Sequence, residues 1–289
     1  MSKILFYLII KPLSYLPFWA LYGISDVLAF LLFYIVPYRK KVVVANLSNS
    51  FPNKSEKEIK IIARKFYSHL GDIIVEGVKL FSITRKQVLK RFVVLNPEIS
   101  NAYFDAGRPI VLVGGHYNNW EILASGLDDQ IKHKAVGIYA KLESAFFNEK
   151  FLSSRTKFGL RMIETKEVAP YFINGFDTPT ATIFGADQSP TYNKGIVWTT
   201  FLNQETAIAN GTERFAKKFN LPVVYGAIEK VKRGHYEFTM EVLYDQPKDT
   251  EDGEISKAFT KKIEEQIIAQ PQYWLWTHKR WKRKRQEHE

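Results

Sequence analysis

The stretch Arg108-Pro-Ile-Val-Leu-Val-Gly-Gly-His-Tyr-Asn-Asn-Trp-Glu121 contains the signals that decide the fold. Residues 110–113 form a short apolar run with the β-branched content of a buried strand. A glycine pair ends the run, and the asparagine pair 118–119 predicts the start of a helix over residues 120–127. The order strand, loop, helix is typical of an open α/β sheet.

Two side chains in this stretch can carry chemistry. His116 lies in the predicted loop and Glu121 in the first helical turn, where the helix dipole favours a carboxylate. Open α/β sheets place their chemistry at the carboxyl ends of strands. A neutral histidine can take a proton from a hydroxyl, while a carboxylate holds its tautomer. The pair therefore predicts a general base and its orienting acid, and a capped helix with a solvated His and Glu is an equal alternative.

A metal site is not expected here. The spacing His-x-x-x-x-Glu does not put both side chains on one helical face, as His-Glu-x-x-His would, and no second histidine is near. The chain contains no cysteine, which excludes disulfides, thiolate metal sites and a cysteine nucleophile.

Composition limits the size of the domain and indicates the charge of its partners. The 289 residues are 46% hydrophobic, enough for one large domain with a sizeable core. Lys and Arg number 41 against 30 Asp and Glu, so the net charge is +11 and an anionic partner is expected. A membrane surface, an acidic carrier protein and a nucleic acid all satisfy that requirement.

Residues 4–36 form the most apolar segment. Lys11, Pro12 and Pro17 interrupt it, and residues 18–36 then contain a single charge, Asp26. That length just reaches the roughly 20 apolar residues needed to cross a bilayer. Three basic residues, 39–41, follow the run, and it is bracketed by aromatic residues as at a membrane interface: Trp19, Tyr22, Tyr34 and Tyr38. The segment predicts a membrane anchor with the body of the protein in the cytoplasm. A hydrophobic hairpin lying in one leaflet, or packed on the domain, stays open.

The rest of the chain predicts a mixed sheet flanked by helices. Residues 55–80 have the helical spacing of a core-facing helix that starts at a capping box, Ser55 with Glu58. Strand patterns occur at residues 92–95, 135–139, 180–184 and 221–226, and at 237–243 as a half-exposed antiparallel edge. Helical patterns cover residues 98–105, 141–159 and 253–269. Asp187 follows the third of these strands, where it is either a site residue or a turn residue ahead of Pro190.

Several of these blocks resemble one protein family. The segment Gly-His-Tyr-Asn-Asn-Trp-Glu, residues 115–121, resembles the His-x-x-x-x-Asp/Glu motif of the bacterial lipid A late (lauroyl/myristoyl) acyltransferases. The closing block Pro271-Gln-Tyr-Trp-Leu-Trp-Thr-His-Lys-Arg-Trp281 is similar to a specific tryptophan-rich block of that family, shortened by one residue. Further similarities are Arg39, Asn46-Leu47, Phe51-Pro52, Tyr139, Arg155, Gly159, the pair Asp187-Gln188 and a helix containing Arg214.

The resemblance implies a fold and a set of site residues. The fold is a glycerolipid-acyltransferase-like α/β domain over residues 39–281, with the anchor at 1–38 and a basic tail at 282–289. His116 and Glu121 are the expected general-base dyad. Residues expected to bind substrate or stabilise an intermediate are Asn119, Tyr139, Arg155, Asp187 and Arg214, although Arg214 could equally be a solvated arginine. Ala140 and Ser144 stand where the family commonly has a basic residue and an asparagine, so the acceptor is the open point.

The implied activity is transfer of a fatty acyl chain from acyl carrier protein to a hydroxyl of a lipid A precursor, at the bacterial inner membrane and without a cofactor. The same chemistry on a lysophospholipid, glycolipid or amino-acid lipid is an alternative. So are a hydrolase that activates water and a non-catalytic tether binding anionic lipid or RNA through the basic tail. The apolar anchor favours the membrane surface over nucleic acid as the anionic partner.

Overall fold

The apolar run 110–113 becomes the middle strand of a seven-stranded sheet in the computed structural model, which describes residues 2–191 and 195–285. The strands are β1 Phe92–Val94, β2 Ile110–Gly114, β3 Lys134–Tyr139, β4 Arg161–Glu164, β5 Thr180–Gly185, β6 Ile196–Phe201, β7 Gln204–Ala209, β8 Val223–Lys232 and β9 His235–Tyr244. The sheet order is β1-β9-β8-β2-β5-β3-β4, and β6 with β7 forms a separate antiparallel hairpin. Only the β8–β9 pair is antiparallel within the large sheet, so the predicted mixed α/β sheet is confirmed.

One strand lies in a different place from its predicted one. The segment 237–243 was expected at a half-exposed antiparallel edge, because its side chains alternate. In the structure β9 pairs with β8 on one side and with β1, in parallel, on the other. The short strand β1 therefore forms the edge beside residues 236–238, so the edge prediction is wrong for that part of β9, while the predicted antiparallel pairing is confirmed.

Helices cover both faces of the sheet. They are α1 Ser2–Leu5, α2 Lys11–Tyr15, α3 Phe18–Phe30, α4 Lys40–Ser50, α5 Glu56–Lys79, α6 Arg85–Arg91, α7 Glu98–Asp105, α8 Trp120–Gly126, α9 Ala145–Arg155, α10 Val168–Ile173, α11 Gly211–Phe219 and α12 Glu254–Ala269. The predicted capping box is present, with Ser55 and Glu58 each satisfying the other's main-chain N–H at the start of α5. Side chains of β2 alternate between two buried clusters, so Val111 and Val113 face one layer of helices and Ile110 and Leu112 the other.

The apolar N-terminal helix packs along the domain. Phe18–Ile35 is long and apolar enough to cross a membrane by length and composition. It runs antiparallel to α5: the Tyr22 hydroxyl reaches Glu76, the Ser25 hydroxyl reaches Asp72, and the ring of Phe33 contacts Tyr67. The residues predicted as a separate anchor therefore share an interface with the body of the protein.

The outer face of this helix is apolar and exposed. Trp19 is 78% exposed, as expected for an interfacial aromatic, whereas Tyr22 points inward to the domain. At the other end of the chain, Arg285 of the basic tail contacts Glu205. Residues 286–289 of that predicted tail lie outside the described residues.

Candidate active site

The loop between β2 and α8 brings His116 to the carboxyl edge of the sheet. Asn118 in this loop has a left-handed backbone (φ 53°), which asparagine tolerates better than most residues. Its side chain donates to the carbonyl of Ile228 on β8 at 2.8 Å, which fixes the loop to the sheet. The predicted strand, loop and helix are thus all present, with His116 at the strand end.

Asp187 is the carboxylate that holds His116. The imidazole Nδ1 lies 2.6 Å from Oδ1 of Asp187, and the main-chain N–H of His116 donates to Oδ2 at 2.8 Å. A carboxylate only accepts, so the proton of the neutral imidazole is on Nδ1 and the lone pair is on Nε2. The two residues meet because β2 and β5 are parallel neighbours whose last glycines, Gly114 and Gly185, are paired.

Charge and burial act against each other in this pair. Burial by itself lowers the pKa of His116 and raises that of Asp187, whose side chain is 2% exposed. The opposite charge and the hydrogen bond outweigh burial for both groups. The pKa of His116 consequently lies above its usual value, and the pKa of Asp187 falls to about 2. The imidazole therefore accepts a proton more readily than a free histidine.

The closing tryptophan block supports Asp187 from the other side. Trp274, which is buried, donates its indole N–H to Oδ2 of Asp187 at 2.8 Å. His278 accepts from the main-chain N–H of Ser189 at 3.1 Å and so holds the segment after Asp187. Trp274 is a site residue that the sequence pattern did not predict. A buried indole needs a hydrogen-bond partner, which was the available signal.

The block is in turn fastened to the start of the domain. Asn46 on α4 donates to the carbonyls of Trp276 and His278, both at 3.0 Å, and Arg39 donates to the carbonyl of Thr277 at 3.1 Å. Segments more than 200 residues apart in the chain thus form one support beneath the His116–Asp187 pair.

Glu121 has a different partner from the predicted one. Its carboxylate accepts from Nε and Nη2 of Arg155, at 2.9 and 2.6 Å, in a bidentate pair. The prediction that Glu121 orients His116 is therefore wrong, because that contact belongs to Asp187. Glu121 still raises the pKa of His116 through its charge, so it lies within electrostatic reach of the imidazole.

Arg155 is consequently a fixed cation whose charge is balanced by Glu121. Burial alone lowers its pKa, but the hydrogen bonds to Glu121 outweigh that effect and raise it. Two of its nitrogens are used by Glu121, and among the described residues Nη1 has no hydrogen bond. The guanidinium group therefore has one side available for an oxyanion or a phosphate.

The other predicted site residues occupy different places. Asn119 is the N-cap of α8, and its side-chain oxygen accepts from the N–H groups of Glu121 and Ile122. Tyr139 ends β3, two strands from β2, with its side chain beside Glu164. Arg214 is exposed on α11 with its guanidinium group over the ring of Phe215. Within the described ranges no hydrogen bond or ion pair joins Tyr139 or Arg214 to His116.

The site has the groups needed for proton transfer, and the described residues form no metal site there. Across residues 2–191 and 195–285, no three His, Asp or Glu side chains are arranged to hold a metal ion. His116, 26% exposed, faces the exposed Gln188, whose amide nitrogen is 3.4 Å from Nε2. A base with a fixed tautomer, a buried acid behind it and an ordered cation nearby can deprotonate a hydroxyl and stabilise an anion.

Comparison with known proteins identifies one family. The family model described as bacterial lipid A biosynthesis acyltransferase matches residues 3–283. No curated protein matches the chain. The matched range includes both the apolar N-terminal helices and the tryptophan block.

Proposed function

The chain belongs to the bacterial lipid A biosynthesis acyltransferase family, and we propose that it moves a fatty acyl chain from acyl carrier protein to a hydroxyl of a lipid A precursor. The observation that carries this proposal is the His116–Asp187 pair, which leaves Nε2 of the imidazole facing outward at the carboxyl edge of the sheet. Family membership implies acyltransferase activity. The donor, the acceptor and the roles of the residues are the proposed part.

His116 acts as the general base. Its Nε2 takes the proton of the acceptor hydroxyl as that oxygen bonds to the carbonyl carbon of the donor thioester. The tetrahedral intermediate then expels the thiolate of the carrier, which receives the proton from His116. Asp187 keeps the proton on Nδ1 and stabilises the imidazolium between the two steps.

Arg155 and Glu121 form the second part of the site. The free Nη1 of Arg155 is a fixed donor for the oxyanion of the intermediate or for a phosphate of the acceptor. Glu121 is then a positioning residue that fixes the guanidinium plane by its two hydrogen bonds. Its negative charge also balances the positive charge of Arg155.

Membrane association brings the lipid acceptor to this site. The helix Phe18–Ile35 exposes Trp19, Val27, Phe30 and Tyr34 on its outer face. Its inner face contacts Asp72 and Glu76 of α5 and, through Asp26, Arg233 of the β8–β9 turn. If this helix crossed the bilayer, those charged groups would lie at the same depth, at about 2.5–3.5 kcal/mol for each Asp or Arg. We infer that the helix lies in one leaflet and that the net charge of +11 attracts the protein to anionic headgroups.

The acceptor alternative depends on two positions. Ala140 and Ser144 stand where a basic residue and an asparagine are common in the family, and Ser144 serves here as the N-cap of α9. Another amphiphile with a free hydroxyl, such as a lysophospholipid or a glycolipid, therefore belongs in the acceptor panel.

An acyl-transfer assay tests the function. Purified protein in detergent is given labelled acyl carrier protein donors and several lipid acceptors, including a tetra-acylated lipid A precursor. His116→Ala should abolish transfer, Asp187→Asn should lower it strongly, and Arg214→Ala, a change at an exposed cation, should keep it. Transfer to a different lipid replaces the acceptor. Release of free fatty acid without acceptor indicates a hydrolase. Membrane binding without any turnover indicates a tether.

A further inference from the structure

Glu76 is a buried carboxylate outside the chemistry described above. It lies on α5, is 5% exposed, and accepts hydrogen bonds from three different elements. The donors are the hydroxyl of Tyr22 on α3 at 3.0 Å, the hydroxyl of Tyr236 on β9 at 2.8 Å, and the side-chain amide of Asn119 at 2.5 Å. A buried carboxylate is unfavourable unless its acceptor sites are filled, and an apolar side chain would suit this core position better. Its presence calls for a role.

Asn119 gives the contact with Glu76 its consequence. The amide oxygen of Asn119 caps the first turn of α8, while its NH₂ group donates to Glu76. If the amide were flipped, its oxygen would face the carboxylate and its NH₂ group would face the N–H groups of Glu121 and Ile122. Glu76 therefore fixes the amide orientation that the cap requires.

The start of α8 in turn sets two features of the site. Glu121 lies in the capped turn and holds Arg155 in the bidentate pair. Trp120, the first residue of the helix, packs edge-on against the His116 ring with 5.2 Å between the centroids. A shift of this turn would move the cation and the wall behind the base together.

The hydrogen bond from Tyr22 links this arrangement to the N-terminal helix. Tyr22 lies on the apolar helix whose outer face is exposed, and its hydroxyl fills Oε1 of Glu76. The two helices are in close contact at this place, since a Cβ added at Gly71 of α5 would lie 2.8 Å from the main-chain oxygen of Ser25. A displacement of the helix would therefore move the hydroxyl that donates to Glu76.

We propose that Glu76 is a positioning residue for acyl transfer, which orients Asn119 and the first turn of α8 and, through Tyr22, makes their placement depend on the N-terminal helix. The predicted effect on rate rests on the proposed function, whereas the coupling between the elements does not. The experiment therefore reads both.

The chain offers a matched pair of variants. Tyr22→Phe and Ser25→Ala each remove one hydroxyl that α3 donates to a buried carboxylate of α5, but only the carboxylate reached by Tyr22 contacts Asn119. Hydrogen exchange of the amides in residues 119–126 is measured on the full chain in detergent. We expect it to rise about fivefold with Tyr22→Phe and with Glu76→Leu, which is the effect of losing a cap worth about 1 kcal/mol. Ser25→Ala should leave it unchanged.

An exchange of roles provides the rescue. In Asn119→Asp two carboxylates face each other, and in Glu76→Leu the NH₂ group of Asn119 loses its acceptor. In the double variant Glu76→Gln/Asn119→Asp the glutamine NH₂ group donates to the aspartate, whose other oxygen caps the helix. We expect Asn119→Asp and Glu76→Leu each to lower kcat at least tenfold with KM little changed, and the double variant to recover most of the loss.

Two results would overturn the proposal. One is unchanged exchange in residues 119–126 for Tyr22→Phe and Glu76→Leu, and the other is an equal effect of Ser25→Ala. If wild-type protein transfers no acyl group to any acceptor, the proposed function fails, and the exchange measurements still decide whether Glu76 couples the N-terminal helix to α8.

Discussion

At the scale of single residues, the two carboxylates of the site have the opposite assignment to the one that chain distance suggests. Glu121 is five positions from His116 in the sequence, yet its partner is Arg155. Asp187 is 71 positions away and contacts His116 twice, once at the imidazole and once at the main-chain N–H. The reason is geometric: a parallel neighbour strand delivers its first loop residues to the same edge, whereas the helix after His116 carries Glu121 away from Nδ1.

Asp187→Asn should lower transfer by about 10²–10⁴-fold, because the imidazole loses the partner that fixes its tautomer. The pH profile should move as well. In the wild type, transfer requires neutral His116, so kcat/KM falls as pH drops through a pKa above 6.5. The variant loses the charge of Asp187, the larger of the effects that raise this pKa, and keeps burial, which lowers it, so the acid limb shifts to lower pH. A shift to higher pH would contradict the assigned pair.

Acid stability should respond to the same substitution. The depressed pKa of Asp187, about 2, contributes stability above the ordinary carboxyl pKa of 3.8 that is lost as pH falls towards 2. Chemical unfolding of wild type and Asp187→Asn should therefore differ more at pH 5 than at pH 2.5. An equal difference at both pH values would mean that the ion pair adds no net stability.

Gly185→Ala should inactivate the site without unfolding the protein. A Cβ at this position would lie 2.9 Å from Cε1 of His116, so the imidazole must move away from Asp187. We expect a loss of transfer of at least tenfold with an unchanged far-ultraviolet spectrum. Gly23→Ala, where an added Cβ meets nothing within 4 Å, is the matched control.

At the scale of elements, neighbouring residues are enough to predict where helices and strands form, but not which strands pair. Ser55 and Asn119 predict the helices they cap because capping involves only neighbours in the chain. The β-branched run 110–113 likewise predicts a buried strand from consecutive residues alone. The position of β9 inside the sheet depends on β1, about 140 residues earlier, and no local pattern contains that information. Tyr22 looked like an interfacial aromatic because its partner, Glu76, comes from another helix.

The tryptophan block offers a test of element-level support. Trp274→Phe removes the indole donor to Asp187, and Trp276→Phe removes the indole donor to the carbonyl of Pro271 at 2.6 Å. Both indoles are buried, so both variants should lose comparable thermal stability. Only Trp274→Phe should lower kcat/KM, by about tenfold, since one charge-assisted hydrogen bond is worth about 1.5–3 kcal/mol. Equal rate losses would reduce the block to a packing role.

At the scale of the whole molecule, the N-terminal helix and the sheet form one unit. The helix is attached by Tyr22 and Ser25 and by Asp26 to Arg233. The segment just before it is held by Lys79, whose ammonium group donates to the carbonyls of Ser14 and Leu16 at 2.8 and 2.9 Å. An apolar helix held by polar contacts along its inner face is expected to lie in the membrane surface.

Cysteine labelling separates a surface helix from a spanning one. The natural chain has no cysteine, so single substitutions give a clean signal. Lys11→Cys and Lys41→Cys flank the helix, and Lys57→Cys on α5 marks the body of the protein. In intact spheroplasts, a membrane-impermeant maleimide should label none of them, and after lysis it should label all three. Labelling of Lys11→Cys alone before lysis would show that the helix crosses the bilayer.

The contact between Asp26 and Arg233 also has a consequence in time. The two residues are 207 positions apart, and at about 5–20 residues per second the ribosome needs roughly 10–40 s to synthesise the chain between them. During most of that interval the apolar helix lacks its contact with Arg233. If the helix lies in a membrane surface, as proposed, its exposed face meets lipid before the sheet is complete. We therefore expect the sheet to be completed against a helix that is already bound to lipid.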